Sequence, residues 1–236
     1  MGYYSIGNSL YGTYIPSGLE NVSTELMDSK EIFDVFHKES YSYEYYKNHN
    51  NNPPKPLEHL FLNEDLLEIH ENTFLVLNQL LAIFSEKLNG FDFGVFKKTN
   101  YLFRLIHYPP IFEKNTKLTR LGSHVDDDLL ALVIAENTNG LKIKTPVYGW
   151  LEIPNLNDVF VVLIGGCLEF LTEGVFTGTE HRVDCDNNAS QSRYVFNINL
   201  GSDLDFRRHS KSGRILSISE YYQQRLSKYS LVKETT

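Results

Sequence analysis

The sequence predicts an all-β core with helices packed outside it. Three observations point there. Between Tyr101 and Leu200 short stretches of strand period recur at near-regular spacing. Asn-Gly, Pro-containing and Gly-containing turns separate them, and one long stripe of helical period precedes them. Short strands cut by turn residues at such intervals build a sandwich or barrel, read here as a jelly roll. No internal repeat interrupts the pattern, so a single domain is expected over 1–236. Its parts are a mostly helical or irregular segment (1–90), the jelly-roll core (91–210) and a C-terminal tail (211–236).

In order, residues 1 to about 25 are rich in Gly, Tyr, Ser and Asn without a period, and read as irregular. Asp28 and Glu31 have the spacing of a capping box, and Ile32, Phe33, Val35 and Phe36 then suit a short amphipathic helix. The Tyr-, Asn-, Lys- and Pro-rich tract 41–56 reads as a loop. Asn63 can cap the long helix, whose apolar stripe is Leu67, His70, Phe74, Leu77, Leu81, Phe84 and Leu88, stopped by Asn89-Gly90. His70 in that stripe reads as a packed, hydrogen-bonded core residue. Strands are expected at Tyr101–Tyr108, Leu129–Ala135, Leu141–Lys144, Trp150–Ile153, Val159–Ile164, His181–Asp184 and Arg193–Leu200. Val159–Ile164 is apolar on both faces, as a strand covered on both sides would be.

Composition narrows the function. A net charge of -8 argues against nucleic acid or an anionic membrane as partner, because little would neutralise phosphates. The two cysteines, Cys167 and Cys185, form no Cys-x-x-Cys pair, so neither a zinc knuckle nor a disulfide framework is expected. No apolar run reaches the ~20 residues of a membrane span. Residues 1–16 lack a signal-peptide pattern, so the Asn21 and Asn188 glycosylation patterns are discounted and a reduced cytoplasmic location is expected. Oligomeric state is not legible.

The chemistry concentrates in Gly122-Ser123-His124-Val125-Asp126, with a second histidine, His181, 55 residues after Asp126. Side chains two apart on an extended strand leave by the same face, so His124 and Asp126 can act together. Two imidazoles and one carboxylate cap one triangular face of an octahedral ion and leave three positions open. That is the ligand set of non-haem Fe(II) oxygenases. A His-x-Asp pair alone specifies little; its surroundings carry the weight.

Those surroundings are Lys30-Glu31-Ile32-Phe33, Leu105-Ile106-His107-Tyr108-Pro109-Pro110, Gly140-Leu141-Lys142-Ile143, Trp150-Leu151-Glu152-Ile153-Pro154, Glu180-His181-Arg182-Val183 and Ser192-Arg193-Tyr194. In order and spacing, about Lys30 to Leu200 resembles the 2-oxoglutarate/Fe(II)-dependent oxygenases of the isopenicillin N synthase-like group. The resemblance implies a double-stranded β-helix (jelly roll) and one Fe(II) held by His124, Asp126 and His181. It also implies a 2-oxoglutarate site in which Arg193, and the hydroxyl of Tyr108, meet the far carboxylate. A guanidinium fork suits a carboxylate and stays charged when buried.

Three departures stand out. Val195 occupies the place of the serine two after the arginine, and Gly165-Gly166 replaces a Gly-Asp pair. The chain also starts near a Gly-Tyr-Tyr segment (Gly2-Tyr3-Tyr4), without the family's usual first strand and helix. Arg104 shares the face of Tyr108, where it would meet either a substrate carboxylate or a buried Asp or Glu. Lys142 and Lys144 read as a solvated face, Glu180 as a surface or ligand-supporting residue, and Asp127 and Asp128 as solvated or turn-capping. The expected function is oxidation of a small molecule by hydroxylation, desaturation or cyclisation, with 2-oxoglutarate and O2 converted to succinate and CO2. The alternatives are a non-haem iron oxidase that does not consume 2-oxoglutarate, and an inactive metal-binding jelly-roll module.

Overall fold

Strand alternation gives one sheet of this protein two buried faces, and every later feature depends on which residue turns which way. The computed structural model describes residues 10–18, 20–21, 27–49, 54–56, 64–87, 100–112, 118–135, 140–154, 159–185 and 190–230. β1 (Leu10–Ile15) pairs with β3 (Glu31–His37), and β3 with β5 (Tyr101–Tyr108). Next come β13 (Arg193–Leu200), β8 (Leu130–Ala135) and β11 (Val161–Ile164). With β4 (Lys55–Pro56) beside β1, they form a seven-stranded sheet in the order β11-β8-β13-β5-β3-β1-β4. A four-stranded sheet contains β10 (Gly149–Glu152), β9 (Leu141–Thr145), β12 (His181–Val183) and β7 (Leu121–His124), in that order.

The inner face of the large sheet meets the small one. Ile32, Phe36, Ile106, Tyr108, Val133 and Val195 share a buried cluster with Leu121, Leu141 and Val183. The outer face packs on helices instead. Val35, Phe103, Leu132, Ile198 and Leu200 cluster with Leu77 and Leu81 of α2 (Glu64–Lys87), with Leu168 and Leu171 of α3 (Gly166–Leu171), and with Ile218, Tyr221 and Tyr222 of α4 (Ile218–Ser230). Each fully buried side chain of this kind contributes about 1.5–3 kcal/mol. The result is the jelly roll expected, a β core with helices outside it. Phe74, Leu77, Leu81 and Phe84 form the buried or half-buried stripe of α2 as the helical period requires. The side chains of Leu67 and His70, and residues 63 and 88–90, lie outside the described set. Among the described residues, no helix is long and apolar enough to cross a membrane.

Several local expectations are corrected. The stretch read as a capped helix, 28–36, holds no helix, and from Glu31 on it is β3: Ile32, Asp34 and Phe36 point inward while Phe33 and Val35 point to the helices. Apolar residues on both faces fit both periods, and the two sheet neighbours β1 and β5 decide for the strand. Asp28 sits in β2 (Met27–Asp28), which pairs with β6 (Leu118–Thr119), and accepts from the Gly122 amide at 2.9 Å. The tract 41–56 contains α1 (Tyr41–His49), started by the Ser40 hydroxyl, which accepts from the Tyr43 amide at 3.2 Å. Within residues 1–25, β1 is regular; 1–9, 19 and 22–26 lie outside the described set. The stretch 211–236 holds β15 (Ile215–Ser217), paired with β14 (Arg207–His209), and then α4. Val159–Ile164 is not covered on both sides. Its strand begins at Val161 and edges the sheet, and Phe160 is 52% exposed.

Candidate metal and cosubstrate site

Antiparallel pairing of β7 with β12 sets His124 directly opposite His181. Their ring centres are 4.2 Å apart. Asp126 follows two residues beyond the end of β7, so its carboxylate arrives from the turn rather than by strand alternation. Its Oδ1 lies 3.2 Å from His124 Nε2 and 3.9 Å from His181 Nε2. One donor atom from each of the three falls within 4.8 Å of the others.

Each histidine is oriented by the backbone carbonyl two residues before it. Nδ1 of His124 faces the Gly122 carbonyl and Nδ1 of His181 the Thr179 carbonyl, both at 3.0 Å. A carbonyl accepts, so each Nδ1 carries a proton, and Nε2 is the nitrogen each ring turns toward Asp126. Burial lowers the pKa of His181, which favours the neutral form a ligand needs. Burial alone would raise the Asp126 carboxyl, but His181 and His124 outweigh it and hold the group well below the usual range. Asp126 Oδ2 is buried without a hydrogen-bond partner among the described residues. Two imidazoles and a carboxylate with one oxygen lacking a partner among the described residues fit a divalent iron ion on one face.

The turn carrying Asp126 is pinned by backbone. Gly166 N donates to Asp126 O at 2.7 Å, Gly165 N to Leu129 O at 2.9 Å and Cys167 N to Asp128 O at 3.2 Å. A Cβ on Gly165 would stand 1.9 Å from Asp128 O, and one on Gly166 would stand 2.6 Å from Tyr221 Oη. Close approach of three segments therefore explains the Gly-Gly pair. Asp127 and Asp128, expected to be solvated or to cap a turn, accept from side chains of other elements: Arg225 donates to Asp127 Oδ1, and Asn199 Nδ2 donates to Asp128 Oδ2 at 2.8 Å.

Arg193 and Tyr108 lie together on the inner face as cross-strand partners, each 1% exposed. Burial raises the Tyr108 hydroxyl against the opposing pull of Arg193, so the phenol stays a neutral donor. Two residues along, Val195 faces Ile106 with no hydroxyl. Farther along the same face, Arg104 lies between Asp34 and Asn197.

Of the two readings of Arg104, the internal ion pair is what the structure contains. Nε and Nη2 donate to the two Asp34 oxygens, both at 2.8 Å, and Nη1 to Glu20 Oε1 at 2.8 Å. Lys30 Nζ, also buried, lies 3.3 Å from both Glu20 and Asp28. The sequence reading missed Lys30, Glu20, Asp34 and Arg225 as members of this surround. Lys142 and Lys144 pair with Asp184 and Glu180, both at 2.8 Å. Ser123 Oγ also donates to Glu180, at 2.7 Å.

Known proteins resemble the chain in sequence and in fold. Residues 99–202 match the model of the 2OG-Fe(II) oxygenase superfamily. A gibberellin 2-beta-dioxygenase of Phaseolus coccineus is 30% identical over 103 residues, which are 42% of this chain and 31% of that protein. Clavatol oxidase claD of Penicillium crustosum is 30% identical over 150 residues, 62% of this chain and 44% of that protein. The chain thus spans less than half the length of these relatives. Among solved structures, a 2OG-Fe(II) oxygenase family protein from Caulobacter crescentus superposes with a TM-score of 0.70 at 24% identity, covering 92% of this chain and 75% of that one. A full-length Neurospora crassa protein solved in complex with alpha-KG gives 0.68 at 16% identity, covering 86% and 72%.

Proposed function

From the premise that the chain belongs to the 2-oxoglutarate/Fe(II) oxygenases, we propose that it oxidises a small molecule with O2 while 2-oxoglutarate becomes succinate and CO2. The observation that carries this is one inner surface holding both halves of the site. His124, Asp126 and His181 turn donor atoms toward each other, and Arg193 and Tyr108 stand buried on the facing sheet. His124, Asp126 and His181 would hold Fe(II), which supplies O2 activation and chelation of the 2-oxo acid. Arg193 would neutralise the far carboxylate through its fork while Tyr108 donates a hydrogen bond. The apolar residues around them, Ile32, Ile106 and Val195, exclude water from the reacting region.

The substrate would contact the polar row beyond Val195. There Asn197 carries a buried Oδ1 with no hydrogen-bond partner among the described residues. An unmet buried acceptor costs about 1–3 kcal/mol, so a substrate N–H or O–H donor is the group it would receive. Arg104 is already neutralised by Asp34 and Glu20, which weakens the case for a substrate carboxylate at that position.

The second reading, an oxidase that keeps the iron and spares 2-oxoglutarate, is favoured by one feature, the apolar Val195. Anaerobic Fe(II) with 2-oxoglutarate should give the weak visible charge-transfer band of a chelate, and His181→Ala should abolish it. A panel of amino acids and other small acids should then stimulate succinate release in air. No band and no succinate alongside substrate turnover would establish the oxidase instead. Metal binding undiminished in His124→Ala, Asp126→Ala and His181→Ala alike would refute the ligand set.

A further inference from the structure

Three residues of α4 reach the turn that carries Asp126. Arg225 donates through Nε to Asp127 Oδ1 and through Nη2 to Val125 O at 3.4 Å. Tyr222 Oη donates to Asp128 Oδ1 at 3.4 Å. Tyr221 packs its hydroxyl over Gly166, whose amide holds Asp126 O. Tyr221 and Tyr222 precede Arg225 by four and three residues, so both are its neighbours on the helix surface. Tyr222 is braced from behind by Tyr41 of α1, with ring centres 4.9 Å apart and planes 22° off parallel.

The ligand carboxylate is therefore flanked by a fixed neighbour on each side of its chain position. Val125 and Asp127 are tied to Arg225, Asp128 to Tyr222 and Asn199, and the Asp126 carbonyl to Gly166. Only the Asp126 side chain is left to turn toward the histidines. We propose that α4 is a clamp on the metal turn, and that Arg225 with Tyr222 are positioning residues that set metal affinity from nearly 100 residues away. This rests on the reading of His124, Asp126 and His181 as metal ligands.

Two effects of removing Arg225 oppose each other. Losing a cation near the site favours binding of a second cation, whereas freeing the turn weakens it. Asp127→Asn/Arg225→Met separates them, because it deletes the pair without changing net charge. Groups that orient metal ligands typically contribute 10–100-fold to metal affinity, so the double variant should bind metal about 10-fold more weakly.

Mn(II) alone, titrated into the full chain by electron paramagnetic resonance well below the unfolding temperature, reads this directly. Tyr222→Phe, which keeps the ring and deletes one hydroxyl, should weaken binding by a smaller factor. Unchanged Mn(II) affinity in a folded double variant overturns the clamp. If the double variant fails to fold, Arg225→Lys decides. It keeps the charge and loses the fork, and wild-type affinity there also overturns the clamp. Absence of Mn(II) binding by the wild-type chain itself would strike the underlying metal reading, a different result from a wild type that binds and variants that bind equally.

Discussion

Arg193 and Tyr108 are direct cross-strand partners at the buried end of β13 and β5, with the guanidinium carbon 5.1 Å from the centre of the tyrosine ring. The ring limits how the guanidinium can lie, and antiparallel pairing fixes which face both occupy. Arg193→Leu replaces a carboxylate partner with an apolar wall. Charge-assisted hydrogen bonds contribute about 1.5–3 kcal/mol each, so loss of the fork should weaken 2-oxoglutarate binding by at least about 10-fold to 100-fold. Titration of the charge-transfer band checks this, with Mn(II) affinity as the control that should not move.

Val195 shares the inner face with Arg193 and is 5% exposed, so it stands where a hydroxyl could reach the same carboxylate. Val195→Ser should tighten 2-oxoglutarate binding by up to about 10-fold, the value of one hydrogen bond to a charged group. Unchanged binding in this variant and in Arg193→Leu together would place the carboxylate elsewhere.

Part of the local structure around the candidate site follows short-range rules. Arg193 and Val195 are two apart on one strand, and alternation bounds β13 at both ends, whereas Asp126 lies past the end of β7 and reaches the histidines from a turn that alternation does not describe. The α2 stripe was read by period for the same reason. What escaped reading depends on contacts far apart in sequence. Ile32, Phe33, Val35 and Phe36 suit helix or strand equally, and only pairing with β1 and β5 decides. Arg104 meets Asp34 and Glu20 at separations of 70 and 84 residues, and Arg225 meets Asp127 at 98. Ile218, Tyr221, Tyr222 and Arg225 do carry a helical period, but tyrosine rings rather than leucines bear it.

The Arg104 ion pair predicts a stability defect. Asp34 is fully buried and Arg104 is 18% exposed at its side chain. Removing one partner of a buried pair strands the other charge and typically costs about 3–5 kcal/mol. Arg104→Met should therefore lower the urea midpoint markedly and leave Mn(II) and 2-oxoglutarate affinity of the folded fraction near wild type. Arg104→Met/Asp34→Leu, which removes both charges, should recover part of the loss. A variant of normal stability with weakened substrate binding would assign Arg104 to the substrate after all.

Glu20 gives the pH dependence. Burial works to raise its carboxyl, but Arg104 and Lys30 prevail and carry it from the usual 4.5 down to about 2. A group whose pKa is lower folded than unfolded stabilises the fold above its unfolded value and loses that contribution as pH falls through the folded one. The window therefore runs from about pH 4.5 down to about pH 2. A displacement of this size is a ceiling of about 3 kcal/mol; with 30% of the Glu20 side chain exposed, solvent screening reduces the realised value. Glu20→Gln removes the charge while Lys30 keeps Asp28 and Arg104 keeps Asp34. At pH 7 the variant should unfold at a lower temperature than wild type, and the gap should close progressively as the pH is lowered through that window. Thermal unfolding followed by circular dichroism at a series of pH values measures both curves, and a gap that stays constant down to the acid end would mean that Glu20 contributes by packing rather than by charge.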